Sequence, residues 1–274
     1  MVIRPLLSAA YGLLASTVQF DRQRSAVDVV KCRVSSLAIK EIDMASEITS
    51  AHTIEGRTLD RAAVEALVKV GTPHKLIDCT LEEADLSSLA LDGWVFEGCN
   101  VKQAILTGAK LSETLWSNCK GGLADFTGAD LSESRITGCD FNNANLRGAT
   151  LTVAQIKRSK LTGANLSEAK TLNLTFEETR LADARLPGLS FRKARLNGLD
   201  FQLSDLRKSD FRDAIFQDCS LRDANLDECR FEGADLRGAD LGGIRLLNAK
   251  QFKGATISRD QAGQLLAELG LKVR

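Results

Sequence analysis

An apolar residue recurs at every fifth position from Leu76 to Leu246. The series runs Leu76, Leu81, Leu86, Leu91, Phe96, Val101, Leu106, Leu111 and Trp116, and continues through Phe126, Leu131, Ile136 and Phe141 to Leu236, Leu241 and Leu246. Of its 35 positions only Gly121 and Thr171 are not apolar, in a chain that is 44% hydrophobic overall. A period of five matches neither the roughly 3.6-residue turn of a helix nor the alternation of a long strand, so each unit has to turn the chain.

A second column shows how. Two residues before each large residue stands a smaller one, as at Ala104, Ala109, Cys119, Ala124, Ala129, Cys139, Ala144, Ala149 and Ala164. Residues two apart share a face of an extended segment, so both columns point inward and the residue between them points out. That outward residue is often Asp or Asn, as in Asp125, Asp130, Asp140 and Asn145. Two positions after the large residue glycine recurs, for example at Gly98, Gly128, Gly148 and Gly188. A type II turn needs positive φ at its third position, where glycine costs least, and Leu186-Pro187-Gly188-Leu189 spells such a turn. Each unit is therefore a short extended piece and a corner. Many such corners build a solenoid, in which each coil buries its core by stacking on its neighbours.

Units such as Ala124-Asp125-Phe126-Thr127-Gly128, Ala129-Asp130-Leu131-Ser132-Glu133 and Ala164-Asn165-Leu166-Ser167-Glu168 resemble the A(D/N)LXX signature of pentapeptide repeat proteins, over about two-thirds of the chain. The resemblance implies an all-β fold, a right-handed quadrilateral parallel β-helix of about nine coils with four pentapeptides to a coil. With rungs about 4.8 Å apart the rod is roughly 40 Å long. The organisation expected is an N-terminal region over 1–74 with a cap helix near 59–70, the β-helix over 75–252, and a C-terminal helix over 253–274.

Both ends carry helix signals. Thr58 is placed to cap a helix reaching Val70, with Val64, Leu67 and Val68 on one face and Gly71 and Pro73 as its stop. Such a helix covers the first coil, which otherwise exposes strand edges and an apolar floor. At the other end Ser258 and Gln261 form a capping-box pair, with Gly270 as the stop. Between them Ala262, Leu265, Leu266 and Leu269 make one apolar stripe, continued by Leu271 and Val273. The stripe suits a helix folded on the last coil or a dimer contact. The tail resembles the C-terminal modules that pair the rods of gyrase-acting pentapeptide proteins, which implies a homodimer. Residues 1–16 hold a short apolar run broken by Ser8 and Gly12, and read as an ordinary N-terminal segment rather than a signal peptide. No stretch reaches the ~18 apolar residues of a membrane span.

Six of the seven cysteines, Cys79, Cys99, Cys119, Cys139, Cys219 and Cys229, occupy the small inward column, and Cys32 lies outside it. On a 20-residue coil the first four stack, at a spacing within disulfide range. Equivalent positions hold Ala, Ser or Thr, and no His or carboxylate joins the thiols, so they read as packing residues rather than a metal or disulfide ladder. Reduced thiols suit a cytoplasmic protein. Nine of the eleven phenylalanines fall in the large column, with Phe191, Phe211 and Phe231 stacked on successive coils.

These features point away from catalysis. His52 and His74 lie outside the rod without a Ser-His or Cys-His pattern, and the glycines are corners rather than a phosphate loop. No cofactor or metal is expected, and a packed rod without a pocket binds partners instead of transforming substrates. Two readings remain. The resemblance implies a bacterial DNA mimic that binds DNA gyrase or topoisomerase IV and confers antibiotic resistance or toxin protection, with Asp125, Asp130 and Asp140 standing where phosphates would lie. The unbroken register is similar to that of the loop-free quinolone-resistance type, and residues 1–74 match neither that type nor the loop-bearing one. The alternative is a rigid protein–protein interaction scaffold.

Charge bears on the choice. Residues 76–156 carry 5 basic and 11 acidic groups, whereas 157–250 carry 17 and 15. Duplex DNA has one charge per ~1.7 Å, so only the N-terminal half approaches a mimic. The clusters Lys157-Arg158-Lys160 and Arg192-Lys193-Arg195 oppose one. Neither direct nucleic-acid binding nor membrane association is expected.

Overall fold

The computed structural model describes residues 52–244, 249–268 and 270–272. They fall in the second of two compact units, Ala51–Arg274. The expectations for Cys32 and residues 1–51, and for Leu246, Leu269 and Val273, lie outside the described residues.

The five-residue unit becomes a 20-residue coil through parallel pairing. Strands β2 (His74–Ile77), β3 (Val95–Glu97), β4 (Leu115–Ser117), β5 (Arg135–Thr137), β6 (Gln155–Lys157) and β7 (Thr175–Glu177) pair in chain order. In register, Phe96 meets Trp116, then Ile136, Ile156 and Phe176, each 20 residues on. Strands β8 (Arg195–Asn197) and β9 (Ile215–Gln217) form a separate pair, as do β10 (Cys219–Ser220) and β11 (Ala239–Asp240). Three further columns of single bridges keep the same step, through Ile105, Asp125 and Asn145, through Lys110, Asp130 and Thr150, and through Lys120, Asp140 and Lys160. The result is a parallel β-solenoid of about nine turns, with one column of rungs per side.

The corners explain why the strands are so short. Among the described residues, the residue two after the large one takes positive φ everywhere but at Gly238, whether or not it is glycine: 64° at Gly128, 58° at Glu133, 63° at Leu123 and 62° at Val153. Left-handed backbone costs a residue with a Cβ roughly 1–2 kcal/mol. It persists here because most corner N–H groups are tied to the next coil, as Val153 N donates to Leu172 O at 2.8 Å. Gly238 is needed for a different reason, since a Cβ there would lie 2.4 Å from Phe216 O.

Both inward columns are buried along most of the rod. Phe191, Phe211 and Phe231 stack with ring centroids 4.9 Å apart and planes within 8°. Phe252 extends the stack at 5.0 Å. It follows Phe231 by one residue more than a regular coil, because the final turn gains a residue and Asp235 bridges Thr256. A short 3-10 helix, Ala249–Phe252, lies in that turn. The inward thiols also bond to the coil before them: Cys99 Sγ donates to Leu76 O at 3.4 Å and Cys229 Sγ to Leu206 O at 2.9 Å. Ser209 Oγ does the same toward Leu186 O at 3.2 Å. Cys, Ser and Thr interchange in this column because each is small and carries one donor.

The ends correct two sequence expectations. Strand β1 (His52–Glu55) pairs with β2, and Thr58 bridges Thr80, so the ladder is already present before residue 75. Helix α1 (Arg61–Val68) is set into that first coil. Asp60, not Thr58, caps it, accepting from Ala63 N at 2.9 Å, because the Thr58 backbone is committed to the ladder. Val64 of α1 is buried in the core, with Leu67 and Val68 packed beside it. At the C-terminal end helix α2 (Arg259–Glu268) begins with the expected capping box. Gln261 Oε1 accepts from Ser258 N at 2.6 Å and Ser258 Oγ from Gln261 N at 3.1 Å. The buried Gln261 Nε2 also donates to Leu236 O and Ala239 O, at 2.7 and 2.6 Å, so the same amide closes the end of the rod. Gly270, at φ 80°, ends the helix.

Candidate partner-binding surface

The outward Asp and Asn residues do structural work first. Their side chains accept from the backbone N–H two residues on: Asp130 Oδ1 from Ser132 N at 3.0 Å, Asp125 Oδ1 from Thr127 N at 3.0 Å, and Asp140 Oδ1 from Asn142 N at 3.3 Å. Asn145, Asn165 and Asn225 make the same bond. This local turn bond satisfies an N–H that the corner takes out of the ladder. The signature's Asp or Asn is therefore chosen by an acceptor oxygen, and the charge of Asp is surplus to the fold.

The structure places Asp125, Asp130 and Asp140 on three different sides of the rod, because five residues is a quarter of a coil. Along their own columns Asp130 lies beside Lys110, and Asp140 between Lys120 and Lys160. None of the three has an ion pair among the described residues. Asp140 lines a groove of about 630 Å³ with Lys102, Lys120, Asn118, Asn142 and Leu123, opened by the missing side chains of Gly122 and Gly138.

The C-terminal half is organised differently. Arg207, Arg212 and Arg237 each turn back onto Asp205, Asp210 and Asp235, at 2.7, 2.5 and 2.6 Å. These guanidinium hydrogen bonds hold the three carboxyls below the ordinary carboxylate range. Arg222 likewise pairs Asp240 at 2.9 Å. A count of charges showed the two halves to differ, but the pairing at Asp205, Asp210 and Asp235 depends on an Arg two residues after the Asp, a spacing that sequence reasoning did not weigh.

The expected dimer stripe also divides. Leu265 is buried as part of the rod's own core, Ala262 is half-buried, and Leu266 is exposed. Leu271 and Ile257 are exposed nearby in sequence.

Among the described residues no His, Cys, Asp and Glu side chains converge as a metal site, and no helix is long and apolar enough to cross a membrane. The six described cysteines are free and buried. Burial pushes the Cys229 thiol up to about 12. Cys119, hydrogen-bonded between Cys139 and Cys99 and buried, is held above the ordinary thiol range. A buried thiol whose pKa is raised is a poor nucleophile. His74 is buried and its ring lies 4.9 Å from that of Trp94, tilted by 42°, and its Nδ1 has no hydrogen-bond partner among the described residues.

The model of the family described as pentapeptide repeats matches in 8 copies, covering residues 75–115, 104–143, 124–163, 159–198, 175–213 and 204–243. The chain belongs to the pentapeptide repeat family. Among curated proteins none matches. Solved pentapeptide repeat structures are similar in fold. A trypsin-treated form of QnrB1, a plasmid-mediated fluoroquinolone resistance protein, is 25% identical over 82% of this chain and 98% of its own, with a TM-score of 0.42. Full-length QnrB1 is 20% identical over 81% of this chain and 98% of its own, at 0.47. HetL, involved in heterocyst differentiation regulation in the cyanobacterium Nostoc sp. strain PCC 7120, is 22% identical over 68% and 86%, at 0.35.

Proposed function

We propose that this pentapeptide repeat protein is a non-enzymatic, cytoplasmic binding rod whose acidic N-terminal half engages DNA gyrase or topoisomerase IV as a DNA mimic. The supporting observation is the asymmetry of ion pairing. Asp125, Asp130 and Asp140 present unneutralised carboxylates on three sides, whereas Asp205, Asp210 and Asp235 are each closed off by an arginine. A saddle that grips duplex contacts phosphates around the circumference, so carboxylates on several sides suit it better than one acidic face would. Leu266 and the exposed Leu271 and Ile257 provide the apolar surface for a homodimer, and Leu265 serves the fold.

A rigid scaffold for another protein is the second reading. Lys110, Lys120 and Lys160 favour it, because they sit beside two of the three carboxylates and dilute the resemblance to a phosphate backbone.

A gyrase supercoiling assay tests the first reading. The triple variant Asp125→Asn, Asp130→Asn, Asp140→Asn should keep the fold, since Asn145, Asn165 and Asn225 already make the same turn bond. Its inhibition of supercoiling should be weaker and less salt-sensitive than wild type. A folded wild type that neither inhibits supercoiling nor relieves quinolone poisoning sinks the gyrase reading and leaves the scaffold.

A further inference from the structure

One side of the rod carries the bridge column Lys110, Asp130, Thr150 and Lys170, which Ser190 and Asp210 continue. The corner beside it stacks coil on coil: Glu113 N donates to Ser132 O, Glu133 N to Thr152 O, Val153 N to Leu172 O and Lys193 N to Arg212 O. The corner on its other border holds Arg147 and Glu168, paired at 2.8 Å.

The middle of this side is apolar. Val153 is 42% exposed and Leu172, one coil on, is 70% exposed. Val153 also holds φ 62°, and it is the one β-branched residue with positive φ among the described residues. A β-branched side chain is poorly suited to that backbone, where the other corners carry Gly, Asn, Asp, Glu or Lys. Burial does not account for it, because the side chain faces solvent. A strained residue that the fold does not require is a reason to look for a function.

Charges of opposite sign flank the apolar pair along the rod. Glu133 lies one coil before Val153, and Arg192 and Lys193 lie one coil after Leu172. All three are exposed, and none has an ion pair among the described residues. An acidic, apolar, basic order read in one direction complements the same order read in reverse.

We propose that this side pairs with the same side of a second copy of the chain, the two rods lying antiparallel. A two-fold axis between the coils of Thr150 and Lys170 sets every column against itself with its direction reversed. Val153 then meets Leu172 of the second copy, Glu133 meets Arg192 and Lys193, and Arg147 meets Glu168. One coil further out, Lys110 and Glu113 face Asp210 and Arg212. The match ends there, because the next coils set Asp92 near Glu232. It spans six coils, about 25 Å at ~4.8 Å per rung. Each contact occurs twice, and opposed charges fix the register. Asp125 and Asp140 lie on other sides and stay free, so the pairing does not depend on the gyrase reading. It is also separate from the apolar surface of Leu266, Leu271 and Ile257.

Sedimentation equilibrium tests it on the full chain carrying Leu266→Glu and Leu271→Glu, which removes the C-terminal surface from the measurement. This chain should dimerise at micromolar concentration, more weakly as salt rises. Glu133→Lys, and separately Arg192→Glu with Lys193→Glu, should each weaken the dimer at least ten-fold, since like charges then face each other. Mixing the two variants should restore it, because every reversed charge in the mixed pair meets its opposite. Lysine already holds the same corner conformation at Lys193, φ 61°, so Glu133→Lys should stay folded, and thermal melting checks this. Leu172→Asp should weaken both the parent dimer and the mixed one. A chain that stays monomeric once Leu266 and Leu271 are replaced overturns the proposal. So do charge variants that associate as well as their parent, or a mixture that recovers nothing.

Discussion

Phe141 occupies the space that Gly121 leaves open one coil away. A Cβ built at Gly121 would lie 2.2 Å from Phe141 Cε1 and 3.1 Å from Val101 Cγ2. The ring also packs edge-on against Trp116, at 5.9 Å, and Phe126, at 5.5 Å. A missing side chain in one coil is thus made good by a large one in the next.

This complementarity sets the first prediction. Gly121→Ala should destabilise the rod by about 1–3 kcal/mol, the usual cost of overpacking. Combined with Phe141→Leu, which makes room, the loss should be clearly less than the sum of the two single effects. Chemical denaturation of the four proteins measures the coupling, and strict additivity would show that the two sites do not share the space.

Thr171 is the other position of the large column that is not apolar, and the crevice it shares with Leu174, Phe176 and Phe191 is too small to hold a water molecule. Thr171→Leu should therefore overpack it and lower stability by about 1–3 kcal/mol. A raised melting temperature would show instead that the half-buried lining gives way to the larger side chain.

Register is the next test. Deleting Ser132 alone shifts every later inward residue to the wrong face and should abolish cooperative folding. Deleting 202–221, one whole coil, sets Phe231 on Phe191 in place of Phe211 and should leave a shorter folded rod. Thermal melting that treats both deletions alike contradicts the 20-residue coil seen in the pairing of Phe96 with Trp116.

His74 makes stability depend on pH. Burial lowers its pKa below the ordinary histidine value, with a smaller opposing effect of the Thr72 backbone and a further lowering by His52. The unfolded chain therefore binds a proton that the folded chain resists. Stability is full above the unfolded pKa of about 6.5 and declines as pH falls below it. The melting temperature should drop between about pH 7 and 5.5, ahead of the carboxylates. His74→Leu should flatten that drop, since Leu174 fills the same column elsewhere. An unchanged slope in the variant would place the acid sensitivity in another group.

The repeat was legible because each unit states the same local physics: two inward side chains, one outward acceptor and a corner. The ends were less so. Thr58 and Asp60 are both good helix caps on paper, and pairing of Thr58 with Thr80 decides between them. Leu265 and Leu266 sit side by side in one apolar stripe, yet one is core and the other surface, because the last coil offers an apolar floor to only part of the helix.

The candidate surface was least legible. Asp125, Asp130 and Asp140 look equivalent in a five-residue count, but folding turns them to three sides and sets lysines beside two of them.

The sequence by itself determined a solenoid with two buried columns, because a five-residue alternation of inward and outward side chains buries apolar surface only by stacking coil on coil; the 20-residue length of the coil was what the resemblance to pentapeptide repeat proteins implied. Only the tertiary structure decided what each residue meets 20 positions away. That contact makes Phe141 the complement of Gly121, pairs Thr58 with Thr80, and places the carboxylates of the two halves in different electrostatic surroundings.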